Sequence, residues 1–530
     1  PYTDPGFTLS KQVEERLNGY IKHYHQPPDA VMLQNHGLLV AGDSPEFIRE
    51  KTQTIITTIQ QALNQTDRYP EPGYELPKDE LLPGELAELN NQIAPFLRGI
   101  MVNKGQAQLV CFKSHPLLDY FFSQDGVSSW SRQAFTPDQI VYCKTEALLL
   151  EGIPSKQEPL SEEKFEYIAT EIETYQKHHG YLPKVILVLG YGMWAVSETR
   201  EGARIIIDVY LDALKILYMS QGFGGPHFLT PDQAAFIESW EAEQYRRKQN
   251  QAVVRHGKRM VGKVALITGG GRGIGKALAE GIVKEGGYVL ILDINESLAQ
   301  KTTQELNTKV QAQRVYALGT DVQQEESIQQ AVTHAVQLFG GLDVVINNAG
   351  VLAPGGVDEV SVEAFNRVTS INYSAYFMMV KYCSPIMAIQ YQASNQWLDI
   401  IYINSKSGLQ GSKRNSAYSG SKFGAVGLTQ SFALELLDSG IKVNTLCLGN
   451  YFEGPLWNDP NEGLFVQYLN AGKVPGAQSV ADVRRFYESK IPMGRGMVID
   501  DVLKALFYVI EQQYETGQAI PITGGQVMLN

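Results

Sequence analysis

The chain has 530 residues, 44% hydrophobic and 19% charged, a globular composition that excludes collagen-like repetition and long-range disorder. Its formal net charge of −12 has the wrong sign for phosphate backbones, so no nucleic acid partner is expected, although a local basic pocket for a small anionic substrate remains open. The four cysteines, Cys111, Cys143, Cys383 and Cys447, form no CxxC pair and read as reduced thiols of a cytoplasmic protein.

In chain order, the sequence opens Pro1-Tyr2-Thr3-Asp4-Pro5-Gly6, with no initiator Met and no basic-then-apolar leader, and reads as the interior of a longer protein. Residues 9–23 place Val13, Leu17 and Ile21 at helical spacing. A strand at 30–33, a turn Asn35-His36-Gly37 and a strand at 38–40 follow. Ser44 then caps a long helix with Pro45 at its first position, and Ile48, Ile55, Ile56 and Ile59 are expected to face a core. Residues 67–83 are polar and Pro-rich, a linker composition. The same strand–turn–strand–helix order returns at 185–188, Gly190-Tyr191-Gly192, 193–196 and a helix from Arg200. The glycines also break the longest apolar run, 185–196, well short of the ~20 residues of a membrane helix, so no membrane association is expected. A shift of 155 residues lays Pro28 on Pro183, His36 on Tyr191 and Gly37 on Gly192. That is the pattern of a duplicated unit, although any apolar strand pair around a Gly turn aligns comparably. A charged helix over 241–259 is expected as a connector with a solvated face. From 261 onward, strand-like runs at 264–268, 288–293, 315–318, 344–347, 400–404 and 442–446 alternate with helical stretches, the rhythm of crossover units and a parallel sheet. The expected division is therefore 1–66, 67–240, a linker at 241–260 and 261–530.

The first strand of the last block runs into Thr268-Gly269-Gly270-Gly271-Arg272-Gly273-Ile274-Gly275 and then a helix at 276–285. Glycines in such a turn let backbone N–H groups approach a pyrophosphate, and the helix N-terminus favours its charge. Asp293, 18 residues after Gly275, ends the second strand. A carboxylate there accepts from both ribose hydroxyls and repels a 2′-phosphate, which predicts NAD over NADP; capping the next helix is its alternative use. Asp321 is placed for the adenine edge, and Asn348, Ala349 and Gly350 follow the fourth strand, where open α/β sheets hold ligands. Tyr418 and Lys422, four apart, share a helix face. A phenol, with its reference pKa of ~10, serves as an acid–base group near neutrality only beside a cation, which Lys422 supplies. Ser405, 13 residues before Tyr418, ends the fifth strand and can hydrogen-bond a substrate oxygen.

With these motifs in one ordered block, residues 261–530 resemble the short-chain dehydrogenases/reductases. The resemblance implies an α/β fold with a Rossmann-type doubly wound parallel sheet. It makes Tyr418 the general acid/base, Lys422 its pKa modulator and ribose ligand, and Ser405 the substrate-oxygen stabiliser. It also implies that Asn372 carries a proton relay through water. The family's Pro-Gly after the sixth strand is Leu448-Gly449 here, with Gly449 expected beside the nicotinamide. Segments 403–408, 411–416, 448–450 and 524–528 are similar to the sorbitol-6-phosphate dehydrogenases, which implies a sugar or sugar-phosphate substrate. Lys406, Lys413 and Arg414 are the candidates for its phosphate, or else basic residues solvated on a loop rim. Residues 450–492 are long enough for a substrate lid, and a dimer or tetramer is expected by resemblance.

Gln34-Asn35-His36-Gly37-Leu38 resembles the metal-binding turn of class II aldolases and their adducin-like relatives. It implies aldolase-like α/β segments before the dehydrogenase, with His36 as one of three zinc ligands in an intact domain. Tyr191 replaces that histidine in the second block, and His23 and His25 sit at a helix end rather than on the ligand strand. The N-terminal region is thus expected to be a zinc lyase in the intact protein or a module for assembly.

Overall fold

The computed structural model describes residues 2–65, 84–103, 106–123, 128–153, 160–240, 258–461, 463–470 and 472–528. The expected linker at 67–83 and most of the connector at 241–259 lie outside the described residues. The chain divides into two units, Pro1–Glu80 with Cys111–Val253, and Leu81–Val110 with Val254–Asn530.

In the first unit the two strand–turn–strand–helix segments share strand register, turn position and helix cap at a constant offset. Ala30–Leu33 pairs antiparallel with Gly37–Val40, from Ala30↔Val40 to Leu33↔Gly37. Moving every partner by 155 residues gives Val185↔Ala195 to Val188↔Gly192, the register of the second hairpin. Asn35 (φ 61) and Gly190 (φ 77) occupy the same left-handed turn position, where glycine and asparagine carry the smallest steric penalty. Ser44 and Thr199 both cap the following helices, accepting from Phe47 N and Gly202 N at 3.2 and 3.0 Å.

The two segments differ in what surrounds them. The second hairpin lies inside a four-stranded sheet ordered Leu109–Lys113, Gly192–Ser197, Val185–Val188, Leu148–Leu150. Met193 and Ala195 pack with helix Arg200–Ser220, and Trp194, fully buried on the alternate side of the strand, lies with its ring centre 4.8 Å from that of Phe112. The first hairpin forms a sheet of two strands only. Met32 and Leu39 are exposed, and helix Phe7–Tyr24 buries no residue. The expectation that Ile48, Ile55, Ile56 and Ile59 face a core is therefore corrected. In helix Pro45–Asn64 Leu63 alone is buried, while Ile56 and Ile59 stay 52% and 41% exposed, because no described element packs on that face.

The second unit is built on a seven-stranded, all-parallel sheet: β1 (Val264–Thr268), β2 (Tyr288–Asp293), β3 (Val315–Gly319), β4 (Val344–Asn347), β5 (Leu398–Ser405), β6 (Ile441–Leu448) and β7 (Ala519–Ile522). Their order is β3-β2-β1-β4-β5-β6-β7, so the chain reverses direction across the sheet between β1 and β4. Strand interiors of Val, Ile and Leu are buried on both faces, as helix-covered parallel strands require. β7, which contains Pro521, was not legible as a strand, since proline suits only an edge.

Two buried ion pairs fix the ends of this unit. Helix Gly84–Ile100 packs on helices Glu325–Phe339 and Ala375–Ser394. At Gly99 an added Cβ would meet Gln390 O at 2.7 Å. Arg98, with no exposed surface, donates to Asp343 Oδ2 at 2.5 Å, Gly262 O at 2.7 Å and Gln108 O at 2.8 Å. Asp343 also accepts from Val264 N at 2.7 Å and Gln390 Nε2 at 3.0 Å. Across the β5–β6 pair, Lys442 lies 2.9 Å from Asp399 and donates to Val509 O and Gln512 O, capping the last carbonyls of helix Ile499–Glu511. Burial pushes Asp399 up to about 7, against the pull of Lys442. Residues 450–492, the expected lid, carry helices Pro455–Asn458, Leu464–Asn470 and Val480–Ser489 around a small apolar cluster of their own with Phe452, Phe465 and Val483.

Candidate active site

The glycine turn leaves the C-terminal end of β1 beside the point where the chain reverses direction across the sheet. Gly269 N and Gly270 N donate to Leu292 O, and Gly271 N donates to Asp293 Oδ2 at 3.0 Å. Thr268 Oγ1 accepts from Asn348 N and Ala349 N, both at 3.0 Å, tying the β1 and β4 ends together. Helix Gly273–Lys284 begins after Arg272 with no side-chain cap, which leaves its first N–H groups for an anion. The Gly273 α-carbon faces open space, and Ile274 packs inward on the core. Gly275 is needed for close packing: a Cβ there would meet Gly269 O at 2.4 Å and Asn348 Nδ2 at 2.6 Å. Gly275→Ala is expected to displace the turn and weaken NADH binding by more than about tenfold, read by quenching of protein fluorescence; unchanged affinity would remove the turn from the site.

Asp293 is half-buried at the end of β2 and also accepts from Asn295 N at 3.0 Å. Helix Glu296–Val310 is capped by Asn295 instead, which accepts from Leu298 N, so Asp293 is not its cap. Asp321 Oδ1 is engaged by Gln323 N at 3.0 Å in its own turn. Gly449 donates to Ile522 O at 2.9 Å, and a Cβ on it would crowd Thr523 at 3.0 Å. These residues fit a dinucleotide: a cradle closed to side chains, an uncapped helix N-terminus and a carboxylate at the ribose end.

Ser405, Tyr418, Lys422 and Asn372 come together beyond β4 and β5. Tyr418 and Lys422 lie on helix Ser416–Glu435, with the Lys422 Nζ 5.7 Å from the Tyr418 ring centre. Burial raises the Tyr418 pKa, and a hydrogen bond with the Ser405 side chain lowers it. Ser405 Oγ also accepts from Ser407 N at 3.2 Å. Burial pulls Lys422 down to about 7, slightly opposed by Cys447. Lys422 Nζ donates to Ile403 O at 2.9 Å and to Tyr402 Oη at 3.1 Å. Asn372 sits in a π-helical turn, Ser370–Ser374, with no exposed surface. Its side chain is locked by Val351 N and O, each at 2.9 Å, and by Ser421 Oγ at 3.2 Å. Its main-chain carbonyl accepts from Tyr402 Oη at 2.5 Å. Gly350 lies alongside, with Asn372 Oδ1 and Lys422 Nζ at 3.4 and 3.9 Å from where its Cβ would stand.

The three basic residues expected to hold a phosphate, near this group in sequence, are in different states. Arg414 is ion-paired with Glu359. Lys413 is exposed. Lys406, next to Ser405, is half-buried, and burial lowers its pKa. Sequence reasoning passed over Tyr402, whose place in a buried strand gives no sign that its hydroxyl reaches the lysine.

His36 does not fit a zinc centre in this chain. Its Nε2 lies 3.0 Å from Thr3 O, and its ring stacks on Tyr2. Among the described residues no three His, Cys, Asp or Glu side chains converge on a common point. His25 is the left-handed C-cap of helix Phe7–Tyr24, with His23 in that helix's last turn.

An all-parallel sheet with a glycine turn at its switch point and a Ser–Tyr–Lys group beside it defines a dinucleotide-dependent oxidoreductase acting on a CH–OH group. Comparison with known proteins agrees. Residues 263–459 match the short chain dehydrogenase family, and residues 88–246 match the second domain of class II aldolases. The sorbitol-6-phosphate 2-dehydrogenase of Escherichia coli is 35% identical over 271 residues, covering 50% of this chain and 99% of that enzyme. A 2,5-dichloro-2,5-cyclohexadiene-1,4-diol dehydrogenase, LinX, of Sphingobium indicum is 34% identical over 269 residues, 50% of this chain and 97% of LinX. The uncharacterized oxidoreductase YuxG of Bacillus subtilis is 26% identical over 556 residues, 99% of this chain and 76% of YuxG. The chain belongs to the short chain dehydrogenase family and carries a class II aldolase domain ahead of the dehydrogenase.

Proposed function

We propose that the second unit interconverts a polyol phosphate and its ketose phosphate with NAD. Two relatives 35% and 34% identical act on different alcohols by name, so identity alone does not choose the substrate. Lys406 carries the choice. It follows Ser405 in the chain, burial partly desolvates its ammonium, and no carboxylate pairs with it among the described residues, a state that an anionic substrate would relieve. Arg414, already paired with Glu359, serves the loop instead. Asp293, with a carboxylate at the ribose end of the glycine turn, favours NAD over the 2′-phosphorylated cofactor.

The nicotinamide supplies the hydride acceptor or donor when bound. Tyr418 gives a proton to the carbonyl oxygen in reduction, or takes it from the hydroxyl in oxidation. Ser405 donates to the same oxygen and holds it against Tyr418. Lys422 stabilises the phenolate by its charge, and Gly350 leaves room beside it for a ribose. The lid helices over 450–492 exclude water from the exchange.

The test is a screen of hexitol phosphates, free hexitols and deoxy-sugar derivatives against NAD+ and NADP+. Fast turnover of a hexitol phosphate with NAD+ is expected, and equal, feeble rates on every substrate would refute the reading. Lys406→Met is expected to lower the preference for phosphorylated over free hexitol by at least about tenfold in kcat/KM, the loss of one charge-assisted hydrogen bond.

A second reading, a sugar-phosphate lyase activity in the intact protein, is favoured by the aldolase match over 88–246. His36, hydrogen-bonded to main chain, gives it no metal step within these residues.

A further inference from the structure

We infer that Tyr402 is a positioning residue for Lys422: its phenolic oxygen and ring face hold the lysine ammonium and tie it to the main-chain carbonyl of Asn372.

The bond count leads to this. An ammonium has three N–H donors. Two are spent inward, on Ile403 O and Tyr402 Oη. One remains for the open side of the site, where Tyr418 and the Gly350 backbone lie. Tyr402 therefore decides which way the free donor points. Its hydroxyl accepts from Lys422 and donates to Asn372 O, so one lone pair and its proton are committed. Its ring adds a cation–π contact, with Lys422 Nζ 4.5 Å from the ring centre.

The carbonyl that receives the Tyr402 proton comes from the π-helical turn Ser370–Ser374. A wide turn breaks the regular hydrogen-bond ladder and presents a main-chain carbonyl to a side chain. Tyr402 thus joins β5, the Asn372 turn and the lysine helix through one oxygen. The titratable groups facing Lys422 are Tyr418 on its own helix, Tyr402 on β5 and Cys447 on β6. Tyr402 is the one that supplies an acceptor, so it counteracts the desolvation of the charged lysine. Tyr376 provides an internal standard. It is equally buried, 4.6 Å from the Tyr402 ring centre, and its hydroxyl meets Thr429 rather than the lysine.

The inference deepens the dehydrogenase reading, and one arm of its test needs no substrate. In protein labelled with 13Cε-lysine, the Lys422 resonance is assigned by its loss in Lys422→Met and titrated without cofactor. Tyr402→Phe is expected to lower the Lys422 titration midpoint by about one pH unit, and Tyr376→Phe to leave it in place. In the activity arm, weaker charge on Lys422 disfavours the Tyr418 phenolate. The acid limb of the oxidation pH profile then moves upward in Tyr402→Phe, and kcat falls about tenfold with little change in KM. If Tyr402→Phe does not fold, 3,5-difluorotyrosine at position 402 keeps the shape and weakens the acceptor, with the same directions expected. A Lys422 midpoint that matches wild type in Tyr402→Phe, or that moves equally in Tyr376→Phe, overturns the inference. Wild-type protein inactive on every alcohol overturns the functional reading instead, and the titration still decides the role of Tyr402.

Discussion

Tyr418→Phe protein is expected to lose turnover by about a thousandfold while binding NADH with wild-type affinity. The substitution removes one oxygen from a helix already fixed by other contacts. Lys422 keeps Ile403 O and Tyr402 as partners, and Ser405 keeps Ser407 N, so the cofactor cradle and the oxygen-binding hydroxyl are undisturbed. What disappears is the proton that must move with the hydride. The measurement pairs initial rates with a fluorescence titration of NADH. Turnover surviving with full affinity would mean that another group carries the proton, and that the Ser405–Tyr418 contact only buttresses the helix.

The largest loss of stability is expected from Arg98→Ala. Arg98 and Asp343 are both buried, and removing one partner leaves a desolvated charge, which costs about 3–5 kcal/mol. Asp343 also orders the start of β1 through Val264 N, so the damage reaches the strand that leads into the glycine turn. Urea denaturation should show a lower midpoint. A second change, Asp343→Asn in the Arg98→Ala background, removes the orphaned carboxylate and should recover part of the loss. Equal stability of wild type and Arg98→Ala would mean that helix Gly84–Ile100 is held by apolar contact alone.

The Rossmann-type half was legible because each signal there is local. Strands buried on both faces write continuous Val-Ile-Leu runs, the glycine turn is contiguous, and the Tyr418–Lys422 spacing is set by one helix. The likeness of the two strand–turn–strand–helix segments in the first unit is sharper in backbone than in sequence. Register and cap repeat at a constant offset, while the side chains differ, with Tyr191 where the offset puts His36. Long-range contacts escaped. Nothing near Arg98 indicates that its partner is Asp343, and nothing in Ile400-Tyr402-Asn404 indicates that one ring faces the lysine. The isoleucines of helix Pro45–Asn64 misled in the opposite sense: amphipathic spacing reports that a helix has an apolar side, not that something covers it.

The path of the chain has a practical consequence. Leu81–Val110 and Val254–Asn530 belong to one unit although Cys111–Val253 lies between them in the chain. A single protease cut within 111–253 severs no Arg98–Asp343 or Arg98–Gly262 contact. The two fragments should therefore co-elute on gel filtration and separate only in denaturant. Recombinant excision of the dehydrogenase from residue 261 onward, by contrast, strips helix Gly84–Ile100 from its seat and bares the apolar surfaces beneath it.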